Sequence, residues 1–520
     1  MSSILPALTV VVPAAAVPAI YVLRDRPNAR EAVTLLAALG TIASAASLVP
    51  AALAGDGLVT PLGRFLGLAV AFRADAFGTL FALLASSLWL VTSVYSVGYV
   101  RTLGERNQSR YFAAFAASTA ATMGVALGAT LLTLFVCYEL LTLATYPLVA
   151  HAETDEARRS GRKYVRYGLS GGAALFAGLL LLTATAGPTA FTPGGIPAVA
   201  GLPTGSGRAA FALLVAGFGV KAAIVPLHAW LPEAMVAPTP VSGLLHAVAV
   251  VKSGVFGVGR VVLFVFGPEF THELGVALPL AAVATLTIVY TSVVALRQDK
   301  LKRGIAYSTV SHLGYVVLGL ALATPAAAFG ALLHIVAHAF MKLTVFLSVG
   351  AVYVETGREY VSGIDGIGRR LPLTMTAFGV AAAGLVGFPA VAGFVSKWYL
   401  MLGAARSDYP VLVAAFLAGG VLKLLYFWPI VLRAFYSEGD LSDLGFAAET
   451  HSDGGAGHGS ADHGAGEGGW QRRSFRDETT WLLLGPIVAA AVGAVVLGVR
   501  PGALPFFALA EQVVEEVFRP

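Results

Sequence analysis

The chain has 520 residues, of which 57% are hydrophobic and only 12% are charged. Soluble globular chains carry about 25% charged residues, so this composition excludes an ordinary soluble protein and a disordered one. The formal net charge of +5 is small for this length and does not indicate nucleic-acid binding. The remaining class is an all-α protein that crosses the membrane many times.

Runs of about 20 apolar residues, the length that crosses a bilayer as a helix, recur along the whole chain. No basic residue precedes the first run, so we expect a transmembrane helix there and not a cleaved signal peptide. Only Gly128 divides the fourth run from the fifth. The 14 predicted spans are 4–22, 32–53, 76–98, 111–127, 129–150, 164–186, 209–229, 241–266, 274–296, 304–322, 326–354, 371–401, 411–436 and 480–499.

The basic residues support an even number of spans. Of the 34 Lys and Arg residues, 22 fall in the odd-numbered connections, while seven, Arg260 among them, fall in even-numbered connections, helix ends or the C-terminus. The positive-inside rule places the odd connections in the cytoplasm. We therefore expect a multi-pass protein of a prokaryotic cell membrane with both termini on the outer side.

The same pattern divides the chain into five parts. They are the first three helices (1–110), a first repeat of helices 4–8 (111–266), a second repeat of helices 9–13 (274–436), a Gly/His-rich cytoplasmic loop (437–479), and the last helix with a short tail (480–520).

The residues that could bind metal are few. The single cysteine, Cys137, excludes an internal disulfide, an iron–sulfur cluster and a thiolate zinc site. The Gly/His-rich loop carries His451, His458 and His463, but its low complexity favours a flexible linker over a metal site. We predict neither a bound metal nor a cofactor.

Charged residues inside the predicted spans are the strongest functional signal. A charge at mid-bilayer costs at least ~2.5–3.5 kcal/mol, and such residues are seldom explained by packing. Glu139 is the acidic residue deep in a span. The basic residues within spans are Lys221, Lys252, Lys342, Lys397 and Lys423.

Glu139 and Lys221 are expected to act as a coupled pair. A nearby lysine restores the charge of a buried carboxylate, although a neutral Glu139 bonded to another helix is the alternative. Pro226 should break span seven near Lys221 and free carbonyl groups there. Lys221 lies about mid-span, which argues against a lysine that reaches out to the membrane surface.

Span eleven carries three titratable residues spaced four apart, His334, His338 and Lys342, on one helix face. They extend over ~12 Å and indicate a proton relay. Two histidines bonded to carbonyls, or a zinc site lacking an acidic ligand, are the alternatives. Accessory candidates on neighbouring spans are His228, His246 and His312, with Lys252 on span eight.

Span twelve should also be broken. Gly384, Gly387, Pro389 and Gly393 precede or flank the break, and Lys397 follows it. Spans seven and twelve are five spans apart and so run in opposite directions. Broken helices in antiparallel halves are typical of inverted-topology repeats, here two repeats of five helices each.

Three strings carry a family resemblance: PLHAWLPEAMVAPTPVSGLLHA, the FMK of HIVAHAFMKLTVF, and GFPAVAGFVSKW. They resemble the antiporter-like subunits of the complex I membrane arm and its hydrogenase relatives, and of the Mrp-type multisubunit cation/proton antiporter. The resemblance covers roughly residues 75–436. It implies a 14-helix fold with inverted five-helix repeats and a central line of charged residues that moves protons.

The resemblance also implies roles for individual residues. Glu139 and Lys221 match the family's glutamate–lysine pair, and Lys397 matches its exit residue on helix twelve. The remaining proton-translocating residues implied are Lys252, His334, His338 and Lys342.

The subtype implied is the Mrp D subunit. Lys397 differs from the glutamate of one complex I subunit type, and the short tail leaves no room for the long lateral helix of another. We therefore expect a proton-translocating subunit of a Na⁺/K⁺–proton antiporter, with other membrane subunits as partners. The alternative is a proton-pumping subunit of a redox-driven complex, and only there would the chain belong to an NADH:quinone oxidoreductase-type enzyme.

Other function classes fit less well. A solute transporter needs a substrate-shaped pocket, whereas the intramembrane residues here are titratable. A redox enzyme needs a nucleotide fingerprint, haem ligands or cluster cysteines, and none is evident in the sequence. A scaffold without transport would not require the complete row of titratable residues. Sodium prefers oxygen ligands, so we assign protons to this chain.

Overall fold

The computed structural model describes residues 1–65, 67–437, 473–474 and 477–519. Most of the predicted Gly/His-rich loop, with its three histidines, lies outside the described residues, and its role stays a prediction. The described part is helical throughout apart from one hairpin and the connecting turns.

The first quarter of the chain contains the hairpin. Its elements are α1 (Leu5–Val22), α2 (Pro27–Ser47), α3 (Val49–Leu53), β1 (Leu58–Phe65), β2 (Leu68–Ala74), α4 (Ala76–Thr102) and α5 (Gln108–Leu127).

The middle of the chain holds the first broken helix. Its elements are α6 (Leu131–Val149), α7 (Asp155–Ala186), α8 (Pro197–Ala200), α9 (Thr204–Lys221), α10 (Trp230–Glu233), α11 (Thr239–Gly243), α12 (Val250–Arg260) and α13 (Pro268–Glu273).

The remainder holds the second broken helix. Its elements are α14 (Ala277–Ala295), α15 (Leu301–Leu322), α16 (Pro325–Thr356), α17 (Pro372–Val386), α18 (Ala392–Ala405), α19 (Val413–Tyr436), α20 (Trp481–Val499) and α21 (Phe506–Phe518).

Eleven helices in the described residues are long and apolar enough to cross a membrane. The predicted spans four, seven and twelve correspond instead to α5, α9 and the α17–α18 pair. The helical membrane fold is confirmed, while the count of 14 and the two inverted repeats stay predictions.

The centre of the bundle is formed by two stretches that are buried along their whole apolar length. They are α16 and the segment Thr239–Val265, which contains α12. In contrast, α1 and α2 are buried over only about a third of their apolar length, as expected for helices that face lipid. Lys252, His334, His338 and Lys342, which lie on these two stretches, are therefore shielded from both water and lipid.

Both predicted helix breaks are present. Helix α9 ends at Lys221, and the indole Nε1 of Trp230 donates a 2.7 Å hydrogen bond to the carbonyl of Val220 that the break frees. Helix α17 ends at Val386, and Gly387 follows with a φ of +114°, a left-handed conformation that favours glycine. Each break thus exposes carbonyl oxygens beside a buried lysine.

The structure adds two elements that hydropathy windows do not reveal. Strands β1 and β2 pair antiparallel, with Leu58 opposite Ala74, in a connection too short for a span. The predicted short tail after residue 499 contains α21, which buries one apolar face. Neither element is long enough to cross a membrane, since the strands have 8 and 7 residues and α21 has 13.

The sequence analysis groups Arg260 with the basic residues of connections and helix ends. In the structure it is the last residue of α12, and its side chain is completely buried. Its two terminal nitrogens donate hydrogen bonds of 2.7 Å to the two carboxylate oxygens of Asp75. Asp75 also caps α4 by accepting a 2.8 Å hydrogen bond from the amide of Gly78. A bidentate partner across the fold, invisible in the sequence, permits this burial.

Breaking this ion pair should destabilise the protein. Removing one partner of a buried pair costs about 3–5 kcal/mol because the other charge is left uncompensated. We expect Arg260→Met and Asp75→Asn each to lower the melting temperature of the assembled complex, and the double variant to lose less than the sum. Arg24→Ala is the control, since its pair with Asp25 is exposed. Equal melting temperatures for all variants would contradict this assignment.

Candidate functional site

Buried titratable side chains from four helices meet in the centre of the bundle. The Lys252 ammonium lies 2.7 Å from Nδ1 of His338. The ring of His338 packs against that of His312 at 5.1 Å between centroids. Nδ1 of His312 is 3.0 Å from Nε2 of His334, and Nδ1 of His334 is 2.9 Å from the Ser396 hydroxyl. We call these five residues the histidine chain.

Each member of the histidine chain is fully buried, and the chain crosses from α12 through α16 and α15 to α18. Three of its four contacts are hydrogen bonds. The exception is the contact between His338 and His312, whose Nε2 atoms have no hydrogen-bond partner among the described residues. A rotation of either ring is therefore required to complete a continuous path.

His312 has a larger role in the geometry than the sequence indicates. The spacing along span eleven suggests that a proton passes directly between His334 and His338. Their ring centroids are 6.2 Å apart, whereas His312 of the neighbouring helix lies 5.2 Å and 5.1 Å from them. His312 thus lies between His334 and His338, whereas the sequence analysis includes it only among the accessory candidates.

Lys342 is not a direct member of this chain. Its ammonium donates hydrogen bonds to the Ile305 carbonyl at 3.0 Å and the Ser308 hydroxyl at 2.8 Å. His246 is buried beside Phe346, with no hydrogen bond to either ring nitrogen in the part of the chain that the structure describes. It interacts electrostatically with both Lys342 and Lys252.

Lys221 and Glu139 lie close together without a direct salt bridge. The Lys221 ammonium donates to the backbone carbonyl of Tyr138 and sits 3.4 Å from the centre of the Tyr138 ring. Oε1 of Glu139 has no hydrogen-bond partner among residues with described positions. Glu139 and Lys221 interact electrostatically, and Gly172 of α7 leaves the space that the carboxylate occupies.

Lys397 uses the second helix break. Its ammonium donates hydrogen bonds of 2.6 Å to the carbonyls of Leu385 and Val386, the last residues of α17. The end of a helix carries a partial negative charge, which stabilises a cation there. Lys397 directly follows Ser396 in the sequence. Ser396 belongs to the histidine chain, and its neighbour Lys397 contacts the helix break.

Two residues complete the comparison with the sequence. The sequence identifies Lys423 as an intramembrane lysine but not as a site residue. It donates to the Ser311 hydroxyl at 2.8 Å and lies 4.2 Å from the ring centre of Tyr315, which also lies 5.2 Å from the Lys397 ammonium. The position of Lys423 within an apolar span is the sequence signal that could have identified it as a site residue. His228 is only half-buried, beside Tyr290, and does not contact the histidine chain.

Known proteins are similar to this chain in sequence and in fold. Residues 128–423 match the family NADH:quinone oxidoreductase/Mrp antiporter, TM. The N subunit of the NADH-quinone oxidoreductase of Desulforudis audaxviator is 33% identical over 79% of this chain and 78% of its own length. A probable K(+)/H(+) antiporter protein of Rhizobium meliloti is 33% identical over 64% of this chain, but over only 33% of that longer protein.

Solved structures agree on the fold. A chain of the Mrp complex from Dietzia sp. DQ12-45-1b superposes with a TM-score of 0.83 at 22% identity, covering 100% of this chain and 98% of that one. A chain of the archaeal membrane-bound sulfane sulfur reductase superposes with a TM-score of 0.80 at 22% identity, covering 99% and 98%. This protein is therefore an integral membrane protein that belongs to the NADH:quinone oxidoreductase/Mrp antiporter family.

Proposed function

We propose that this chain is the proton-translocating subunit of a multisubunit monovalent cation/proton antiporter, corresponding to the Mrp D subunit. The observation that carries the proposal is the histidine chain, in which Lys252, three imidazoles and Ser396 follow one another through the bundle centre. A neutral imidazole accepts a proton at one nitrogen and releases one at the other. Such a row moves protons where a hydrated cation would find no oxygen cage.

Lys221 and Glu139 supply the switch in this proposal. A carboxylate near the ammonium stabilises the protonated lysine, and separation of the pair favours release of the proton toward Lys252. Oε1 of Glu139 has no hydrogen-bond partner among the described residues, so no hydrogen bond to that atom has to break when the carboxylate moves. Lys342 and His246 then store or return charge beside Lys252, and Lys397 receives it at the other end.

Two observations favour antiport over redox coupling, and one favours the reverse. The lysine at position 397 supports the Mrp D assignment, and the similarity to a probable K(+)/H(+) antiporter protein supports antiport. The second candidate is a proton-pumping subunit of a redox-driven complex. It is supported by 33% identity to the N subunit of an NADH-quinone oxidoreductase over 79% of this chain.

The switch pair is tested in everted vesicles that contain the whole native complex. A pH-gradient dye should show that Na⁺ or K⁺ dissipates the gradient, and we expect Glu139→Gln and Lys221→Met each to slow this at least about tenfold. Lys300→Met, which changes an exposed lysine, is the matched control. A complex that ignores cations but pumps on addition of a reductant would establish the redox-driven candidate instead.

The position of His312 gives a second test. We expect His312→Phe to abolish cation-driven proton movement. Phenylalanine keeps a ring of similar shape but has no ring nitrogen, so it cannot pass a proton between His338 and His334. His228→Phe should leave transport close to wild type, since His228 lies outside the chain. Assembly is checked by native gel electrophoresis of each variant. Normal transport by the His312 variant would refute the proposed order of residues.

The space around Glu139 gives a third test of the proposed function. A Cβ atom at Gly172 would lie 2.5 Å from Oε1 of Glu139, so Gly172→Ala should displace the carboxylate and slow transport several-fold. The control is Gly485→Ala on α20, where a Cβ meets no atom within 4 Å. The rate is measured with the same dye. If the two alanine variants transport equally well, the position of Glu139 is not critical.

A further inference from the structure

The first turn of α17 is held by Glu478, a residue 105 positions further along the chain than Leu373. One carboxylate oxygen of Glu478 accepts a 2.8 Å hydrogen bond from the amide of Leu373. The other oxygen accepts hydrogen bonds of 2.9 Å and 2.6 Å from the amide and the hydroxyl group of Thr374. Glu478 is completely buried, so these bonds are made within the protein and not with water.

The local sequence of α17 leaves its first amide groups without a partner. The first four amides of a helix have no carbonyl within the helix to bind, and a side chain at the N-cap position commonly accepts from them. Here the N-cap residue is Leu371, which makes no side-chain cap, and Pro372 begins the helix without an amide hydrogen. Glu478 therefore supplies the cap that the local sequence lacks, and its carboxylate suits the positive end of the helix dipole.

The opposite end of the same helix binds Lys397. The Lys397 ammonium donates to the carbonyls of Leu385 and Val386, which end α17. Gly387 then breaks the helix, so no helical continuation holds the last turn in place. A helix of 15 residues is a rod of about 22 Å. A displacement of its first turn along the axis is therefore passed on to the carbonyls at its last turn.

Glu478 belongs to a segment that is itself fixed to the centre of the bundle. It directly precedes the start of α20, and α20 packs against α16. The amide of Arg473 donates a 3.1 Å hydrogen bond to the carbonyl of Arg369, just before α17. The Arg473 guanidinium lies 3.4 Å from the carboxylate of Glu355, near the end of α16. The segment around Glu478 thus connects α17 to the helix that carries His334 and His338.

We propose that Glu478 is a positioning residue for proton transfer at Lys397. By capping α17 it sets the position of the two carbonyl groups that accept hydrogen bonds from the Lys397 ammonium. The inference rests on the proposed function, in which Lys397 receives the proton at the end of the path. Without the cap, α17 loses its fixed position relative to α16, and its last carbonyls no longer meet the ammonium group. Glu478 itself does not exchange the proton.

The first test measures cation-driven proton movement in vesicles that contain the whole complex. Glu478→Ala removes all three hydrogen bonds and should slow this movement at least about fivefold. Glu478→Gln keeps one accepting oxygen and should stay within about twofold of the wild-type rate. Thr374→Ala removes only the hydroxyl bond and should have an effect between these two.

The matched control is Thr376→Ala. Thr376 is an exposed threonine in the same turn, and its hydroxyl donates to the carbonyl of Pro372 within the helix. Its replacement should leave transport at the wild-type rate. If Glu478→Ala does not assemble, Thr374→Ala and Thr376→Ala give the same comparison. Equal transport rates for the cap variants and the control would overturn the proposal.

The second test reads the surroundings of Lys397 without any transport. The purified complex is treated with acetic anhydride, and acetylation of each lysine is followed by mass spectrometry. Lys423 is the internal reference, because its partners Ser311 and Gly419 do not lie on α17. An amine released from its carbonyl partners reacts faster, so Glu478→Ala should raise acetylation of Lys397 relative to Lys423, whereas Thr376→Ala should not.

The two tests separate the inference from the proposed function. An unchanged ratio of Lys397 to Lys423 acetylation in Glu478→Ala would overturn the positioning role, even if transport falls. Absence of cation-driven proton movement in the wild-type complex would refute the proposed function alone, because acetylation does not depend on transport.

Discussion

The constraint on which the rest of this structure depends is the cost of holding ammonium groups inside an apolar bundle. Each buried lysine meets a neutral partner: Lys252 lies 2.7 Å from His338, and Lys397 donates to two carbonyl oxygens at 2.6 Å. These partners lower the desolvation cost without adding a negative charge. In the proposed proton path, a carboxylate in their place would hold the proton more firmly, whereas neutral partners leave it transferable.

The broken helices follow from the same constraint. Most carbonyls of a continuous helix already accept a hydrogen bond within the helix, whereas the carbonyls at a helix end do not. Ending α17 at Val386 releases carbonyl groups, and the partial negative charge of the helix end favours the cation beside it. The contrast with Arg260 is informative. That guanidinium has a bidentate carboxylate partner in Asp75, which suits a permanent structural charge rather than a mobile one.

The sequence is a good guide to individual residues and a poor one to their connections. Lys221, Lys252 and Lys397 are predictable because charge in an apolar run is visible without any knowledge of the fold. The sequence places His312 among the accessory residues because periodicity relates residues on one helix only. Its insertion between two histidines of α16 depends on how α15 packs, and the burial of Arg260 against Asp75 depends on packing in the same way.

Sequence alone determined the membrane class, the two helix breaks and the set of titratable residues, since hydropathy, proline, glycine and buried charge are local properties. Tertiary structure decided the order in which those residues meet, the departure of Lys342 from the line, and the burial of Arg260 against Asp75. The physical reason is that contacts between helices arise from side-chain packing at long sequence separation. The 3.6-residue period of one helix does not encode the register of the next.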